Sequence, residues 1–203
     1  MGALPKTYIS ADDYLRQERL AETRSEWIGG EVFAMSGASW NHNLICTNIQ
    51  ASLHTQLRAG PCRVVGSDLR VKVNPTGMYT YPDVVLVCGK PELEDTSLDT
   101  LLNPSVIIEV LSPSTESFDR GAKFAHYRHL ASLRHYLLVA QDAPYIEHYA
   151  RQGSHWILTE VSGLTSTLAL TDPAVSLNLV DVYDRVELDE SSSGHYPRLT
   201  SSS

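Results

Sequence analysis

Long apolar runs are missing from this sequence. No segment approaches the roughly 18 consecutive apolar residues of a membrane-spanning helix, so no membrane association is expected. The first residues, Met1-Gly2-Ala3-Leu4-Pro5-Lys6, lack the apolar stretch of a secretory signal, and a cytoplasmic location is the expectation. Cysteine is scarce. Cys46, Cys62 and Cys88 are odd in number and lack the close pairs of a zinc site, which points to buried free thiols in a reducing compartment. Positive charge is also short: Lys and Arg number 16 against 24 Asp and Glu, a net charge of −8. Attraction to phosphate needs a basic surface, so an unspecific nucleic-acid binder is disfavoured. One stretch departs from that average. Arg120, Lys123, Arg128 and Arg134, with His126, His129 and His135, are opposed nearby only by Asp119, which makes either a basic face or a solvated helix face.

A chain of 203 residues, 42% hydrophobic and 20% charged, suits one ordinary domain, here expected over 1–188, with a disordered Ser-rich tail over 189–203. A first helix is expected over 10–20, capped by Ser10 with Tyr14 and Leu15 inward, then a hairpin strand over 31–35 after Gly29-Gly30. Ser39 caps a longer helix to residue 57, in which Leu44, Ile45, Ile49, Leu53 and Leu57 recur at helical spacing until Gly60-Pro61. Strands follow over 62–73, 81–88 and 105–112, then a helix over 119–131 capped by Asp119, a strand over 134–139, and a hairpin of 145–151 with 155–161. The class is α/β, a mixed α+β sheet with helices packed on it.

Two acids stand out against this frame. Asp83 opens the run Val84-Val85-Leu86-Val87, and Glu109 sits inside Val106-Ile107-Ile108-Glu109-Val110-Leu111. A carboxylate in an apolar strand is costly unless paired or bound to metal. On adjacent strands the two acids would share one divalent cation, provided the register puts them on one face.

The segments Tyr81-Pro82-Asp83-Val84, Glu109-Val110-Leu111-Ser112-Pro113-Ser114-Thr115 and Asp119-Arg120-Gly121-Ala122-Lys123-Phe124-Ala125-His126-Tyr127 resemble those of the Uma-two family of restriction endonucleases, within the PD-(D/E)XK nuclease superfamily. The likeness runs from about residue 8 to 188. It implies a restriction-endonuclease-like core of helix, three strands, helix and strand, with an N-terminal helix and hairpin and a C-terminal hairpin. It also implies a metal-dependent endonuclease that hydrolyses phosphodiester bonds in DNA. The superfamily motif expects a lysine two residues after the second acid, where this chain has Leu111; the resemblance assigns the ammonium to Lys123 instead.

On that reading Asp83 and Glu109 bind Mg²⁺ (or Mn²⁺) through oxygen, and Lys123 assists the attacking water. Further candidates are His42 and Glu31, in a segment that the resemblance places near the active face, with Asp68 and Tyr127. Blander readings stand beside each: a hydrogen-bonded strand-start Asp83, a structural Glu109–Lys123 ion pair, an Asp68–Arg70 pair, a core Tyr127. Tyr145, Tyr149 and Trp156 suit cross-strand packing better than base stacking. The alternatives to a nuclease are an inactive nucleic-acid-binding or protein-interaction module of the same fold, and a metal hydrolase acting on another phosphoester. A homodimer is expected, because two cuts on a duplex suit a symmetric pair.

Overall fold

The structure, a computed structural model, describes residues 8–188; the expected tail lies outside them. Ser10 accepts from the Asp13 N–H and opens α1 (Ala11–Glu18), which buries Tyr14 and Leu15 as its pattern predicts. β1 (Ser25–Ile28) and β2 (Glu31–Ala34) form the hairpin around Gly29-Gly30, both at positive φ. Ser39 caps α2 (Trp40–Leu57). That helix contains Asn41, Asn43, Thr47, Asn48 and Thr55, all weak helix formers. Burial therefore sustains it: Ile45, Ile49 and Leu53 are at most 1% exposed, each contributing about 1.5–3 kcal/mol by area.

The rest of the chain is β3 (Cys62–Gly66), β4 (Arg70–Val73), β5 (Met78–Thr80), β6 (Val84–Cys88), β7 (Thr100–Leu101), β8 (Val106–Val110), a helical stretch, β9 (His135–Val139), β10 (Tyr145–Gln152), β11 (His155–Ser162), β12 (Thr167–Thr171), β13 (Ala174–Asn178) and α5 (Leu179–Val182). The central sheet runs β11-β10-β9-β8-β6-β3, with β8 and β9 parallel and the other neighbours antiparallel. A second sheet runs β2-β1-β5-β4-β7, and β12-β13 stand alone as a hairpin. Alternate strand residues face opposite ways. Val84, Leu86, Val106, Ile108 and Val110 meet α2, α5 and the β12-β13 hairpin on one side. Val85, Val87, Ile107 and Leu111 meet the second sheet and Tyr127 on the other.

The helix, three strands, helix, strand order holds, as α2, β3, β6, β8, the helical stretch and β9. Four expectations need correction. The strand expected over 62–73 is two strands in different sheets, because Gly66 to Leu69 turn the chain between them. The one expected over 81–88 begins at Val84, since Pro82 has no N–H for a ladder. The helix expected from Asp119 starts earlier and stops sooner: α3 (Glu116–Phe118), a π turn (Asp119–Lys123) and α4 (Phe124–Tyr127). Asp119 is a buried member of it, at 2% exposure, and not its cap. Finally, Cys62 and Cys88 are not free thiols. They face each other across β3 and β6 and form a disulfide, which leaves Cys46 free. Their distance in sequence concealed the pairing.

The basic stretch does not form one basic face. Lys123 and His135 are buried, and Arg120 reaches Glu116 and Glu147. Tyr149 and Trp156 pack on Phe124, with ring centroids 4.4 and 5.3 Å away, so the hairpin aromatics are packing residues. Between β9 and β10, His135 Nδ1 lies 2.8 Å from His148 Nε2, and both rings are buried. Burial, and then His135 itself, depress the His148 pKa to about 4. An unfolded imidazole takes its proton near 6.5. The pair is therefore stable above that pH, and its contribution is lost as pH falls from about 6.5 to about 4, at about 1.4 kcal/mol per unit. Thermal melts between pH 7 and 4.5 are expected to show a smaller fall in Tm for His148→Asn than for wild type.

Candidate active site

Register answers the question that sequence left open. Val84 pairs with Ile108 and Val85 with Ile107; one further step along this antiparallel ladder sets Asp83 opposite Glu109. Opposed residues share a face. Asp83 is anchored there by the Val110 N–H, which donates to its Oδ2 at 2.7 Å.

Glu109 is 3% exposed. Its Oε1 accepts from the Tyr127 hydroxyl at 2.9 Å and from Lys123 Nζ at 3.2 Å. Lys123 and Tyr127 are one helical turn apart and so reach the same carboxylate. Leu111, at the motif position for lysine, is buried in the apolar core at 2% exposure. The ammonium comes instead from the π turn, a feature often found at functional sites.

Lys123 meets two more acids that the sequence did not bring forward. Its Nζ lies 3.2 Å from Glu26 Oε1 and 3.2 Å from Asp119 Oδ1, the latter a charge contact without hydrogen-bond alignment. Glu26 is held by the Thr80 hydroxyl and, at 3.4 Å, by the Tyr81 N–H. Glu26 gave little signal, because its strand Ser25–Ile28 is four residues long and half polar. Asp119 opened one of the family-like segments, where it read as a helix cap. An ammonium has three N–H donors, and three carboxylates surround this one. Burial opposes the Lys123 charge, but Glu109, Glu26 and Asp119 override it and hold its pKa well above the ordinary value. Burial lifts Glu109 well above the usual carboxylate range, with Lys123 pulling the other way. Burial and then Glu109 likewise raise Tyr127, so it remains a phenol and a donor.

The first turn of α2 brings His42 Nε2 to 3.1 Å from Asp83 Oδ2. Burial disfavours the imidazolium, yet the bond to Asp83 and its charge raise the pKa above the usual histidine value. Cys46, one turn on, lies 3.7 Å from His42 Nδ1. Sulfur, imidazole and carboxylate thus stand in line, but burial and the charges of Asp83 and Glu109 push the thiol pKa far up. A thiolate nucleophile is disfavoured.

These groups line a cleft of about 790 Å³, walled by Phe33 to Ser39 on one side and Ser112 to Thr115 on the other. Asp83, Glu109, His42 and Lys123 all contribute to it. Glu31 and Asp68 do not. Glu31 pairs with Ile28 in the hairpin, and Asp68 is exposed and pairs with Arg24, not with Arg70. Arg70 is taken up by Asp99, Thr100 and Tyr81. Four carboxylates therefore line the cleft, with Glu26, Glu109 and Asp119 around the buried ammonium and Asp83 beside His42. Their hard oxygens and excess negative charge fit a divalent cation such as Mg²⁺, for which Asp83 and Glu109 are opposed on one face.

Residues 11–180 match the model of the Uma2 family, described as "Putative restriction endonuclease". Two proteins of Synechocystis sp. (strain ATCC 27184 / PCC 6803 / Kazusa) align over 76% of the chain. One, sll1609, is 37% identical over 156 residues and is covered for 88% of its length. The other, slr1290, is 34% identical over 155 residues and is covered for 80%. A crystal structure of a "putative nuclease belonging to DUF820" from Anabaena variabilis superposes with a TM-score of 0.71 over 86% of this chain and 97% of that one, at 17% identity, which shows a common fold. With its mixed sheets and restriction-endonuclease-like core, this chain belongs to the Uma2 family.

Proposed function

We propose that the protein is a metal-dependent endonuclease that hydrolyses phosphodiester bonds in DNA. The observation that carries the reading is the opposition of Asp83 and Glu109 across β6 and β8 in an open cleft, with Lys123 and Tyr127 both on Glu109. Asp83 and Glu109 would hold Mg²⁺ or Mn²⁺, which supplies Lewis-acid polarisation of the phosphate and a more acidic bound water. Tyr127 and Lys123 fix the orientation of Glu109, and the Lys123 charge opposes the burial that favours its protonated form. Lys123 also orients the attacking water and stabilises charge developing on phosphorus. His42 positions Asp83 through their mutual contact. In hydrolysis, the water oxygen forms the new P–O bond, the bond to the departing sugar oxygen breaks, and that oxygen takes a proton.

Among the described residues, Arg24 and Lys123 are the only Lys or Arg lining this acidic cleft, so phosphate is repelled until a cation offsets the acids. Binding to DNA is thus expected to need divalent metal, with Ca²⁺ as a non-cleaving probe, and to weaken steeply as salt rises. A flat salt response would favour another phosphoester as substrate; DNA binding that ignores metal would favour the inactive binding module. For assembly, β11 is an edge of the central sheet with Ile157 and Leu158 exposed, the edge by which two copies would pair; sedimentation tests for the dimer.

Supercoiled plasmid and single-stranded DNA are expected to be cut by wild type with Mg²⁺ or Mn²⁺ and not with chelator. Glu109→Ala and Asp83→Asn are expected to lower the rate by at least ~100-fold, the scale of losing one electrostatic stabiliser. Equal cutting by wild type and both variants would sink the assignment. Stability gives a separate reading: Lys123→Met leaves its acids buried without a counter-charge and is expected to lose about 3–5 kcal/mol in urea unfolding.

A further inference from the structure

The acids account for one half of the cleft floor; the end of α2 that faces them carries a different chemistry. His42 and Cys46 are four residues apart on α2, hence on one helix face. A ligand atom from each, and a carboxylate oxygen of Asp83, all lie within 4.8 Å of one another. Cys46 lines the cleft, so a solute ion has a path to it. The other two cysteines are locked in their disulfide, which makes Cys46 the free thiol of the chain.

This donor set differs in kind from that of Asp83 and Glu109. Mg²⁺ takes oxygen almost exclusively. Nitrogen, sulfur and oxygen together suit borderline and soft ions, which accept three protein ligands in a tetrahedron and leave the fourth position to water. The geometry points to a second cation site, for divalent ions of the zinc, cobalt and cadmium class, built from His42, Cys46 and Asp83. Loading breaks the Cys46 S–H bond. Sulfur keeps the electron pair and donates it to the ion, the proton passes to solvent, and no oxidation state changes. One imidazole nitrogen of His42 turns from its present partner to the ion.

Asp83 belongs to both donor sets, and that makes them antagonists. An ion held at His42 and Cys46 draws Asp83 toward α2 and places a competing positive charge beside Glu109. Zinc-class ions therefore oppose Mg²⁺. This consequence for cleavage rests on the function proposed above, whereas the binding itself does not.

The test is titration of chelator-treated, full-length protein with Cd²⁺ and Co²⁺, watching the ultraviolet thiolate-to-metal charge-transfer band. Wild type is expected to saturate at one equivalent with that band, and Glu109→Gln to retain it. Cys46→Ser and Cys46→Ala are expected to lose it, while His42→Ala and Asp83→Asn keep a band but bind more than about 10-fold weaker. No band in wild type would overturn the site, as would unchanged affinity in both His42→Ala and Asp83→Asn, which would leave a lone thiol as the binder. In cleavage assays Zn²⁺ is expected to inhibit wild type in the presence of Mg²⁺ and to inhibit Cys46→Ser far less. Equal inhibition of both would overturn the antagonism. A protein that gives the band but never cuts DNA would refute the nuclease reading and leave the site standing.

Discussion

A single ammonium, that of Lys123, holds the two halves of the molecule in register. Glu26 belongs to the second sheet, Glu109 to the central one and Asp119 to the helical stretch between β8 and β9, and each meets the same nitrogen. Removing a cation and three anions from water is unfavourable for each of them alone. The arrangement holds because the charges are desolvated together and because neutral donors share the load: Thr80 for Glu26, Tyr127 for Glu109. Thr80 and Tyr127 are themselves 3.3 Å apart at their hydroxyls, closing a polar ring within an apolar core. Much of the surrounding packing can be understood as support for this ring. Tyr136, stacked near Phe124, sends its hydroxyl to the Asp119 carbonyl at 3.0 Å and so fixes the helical stretch that carries the lysine.

The same constraint places the site where two sheets part. The chain leaves the central sheet after β3, builds β4 and β5 in the second, and returns at Asp83. Pro82 and Asp83 lie in the gap between the end of β5 at Thr80 and the start of β6 at Val84. A carboxylate at such a boundary has a backbone donor, the Val110 N–H, and open cleft beyond it. It is held without being sealed. Glu109, in mid-strand, has less access to water and more need of a partner, so two acids on one face have different environments.

Much of this was legible in the sequence. Ser10 and Ser39 mark their helices because their hydroxyls satisfy the first free N–H groups, and the apolar runs around Asp83 and Glu109 mark central strands. Lys123 came through resemblance and Tyr127 through its place one helical turn further on, and the structure brings both to Glu109. What stayed hidden depends on pairing across space. Glu26 sits in a four-residue strand too short to display a pattern. The Cys62–Cys88 bond is visible only once β3 lies beside β6. Asp68 looked like a partner for Arg70 by proximity in the chain, yet Asp68 lies in the turn before β4 and the two side chains go to different neighbours. The β12-β13 hairpin did carry a signal, Leu168, Leu170, Val175 and Leu177 alternating about Asp172-Pro173, and it was not anticipated.

The π turn of Asp119 to Lys123 separates two helical phases. At its start Asp119 meets the lysine; downstream of it Tyr127 meets Glu109. An extra residue lodged in one turn lets both alignments hold at once. Gly121, exposed at the middle of that turn, is therefore where the length of the chain acts as a dial. A one-residue deletion there would rotate the lysine and the tyrosine together about the helix axis while every strand stayed in place, detuning the chemistry of the cleft without touching the architecture that frames it.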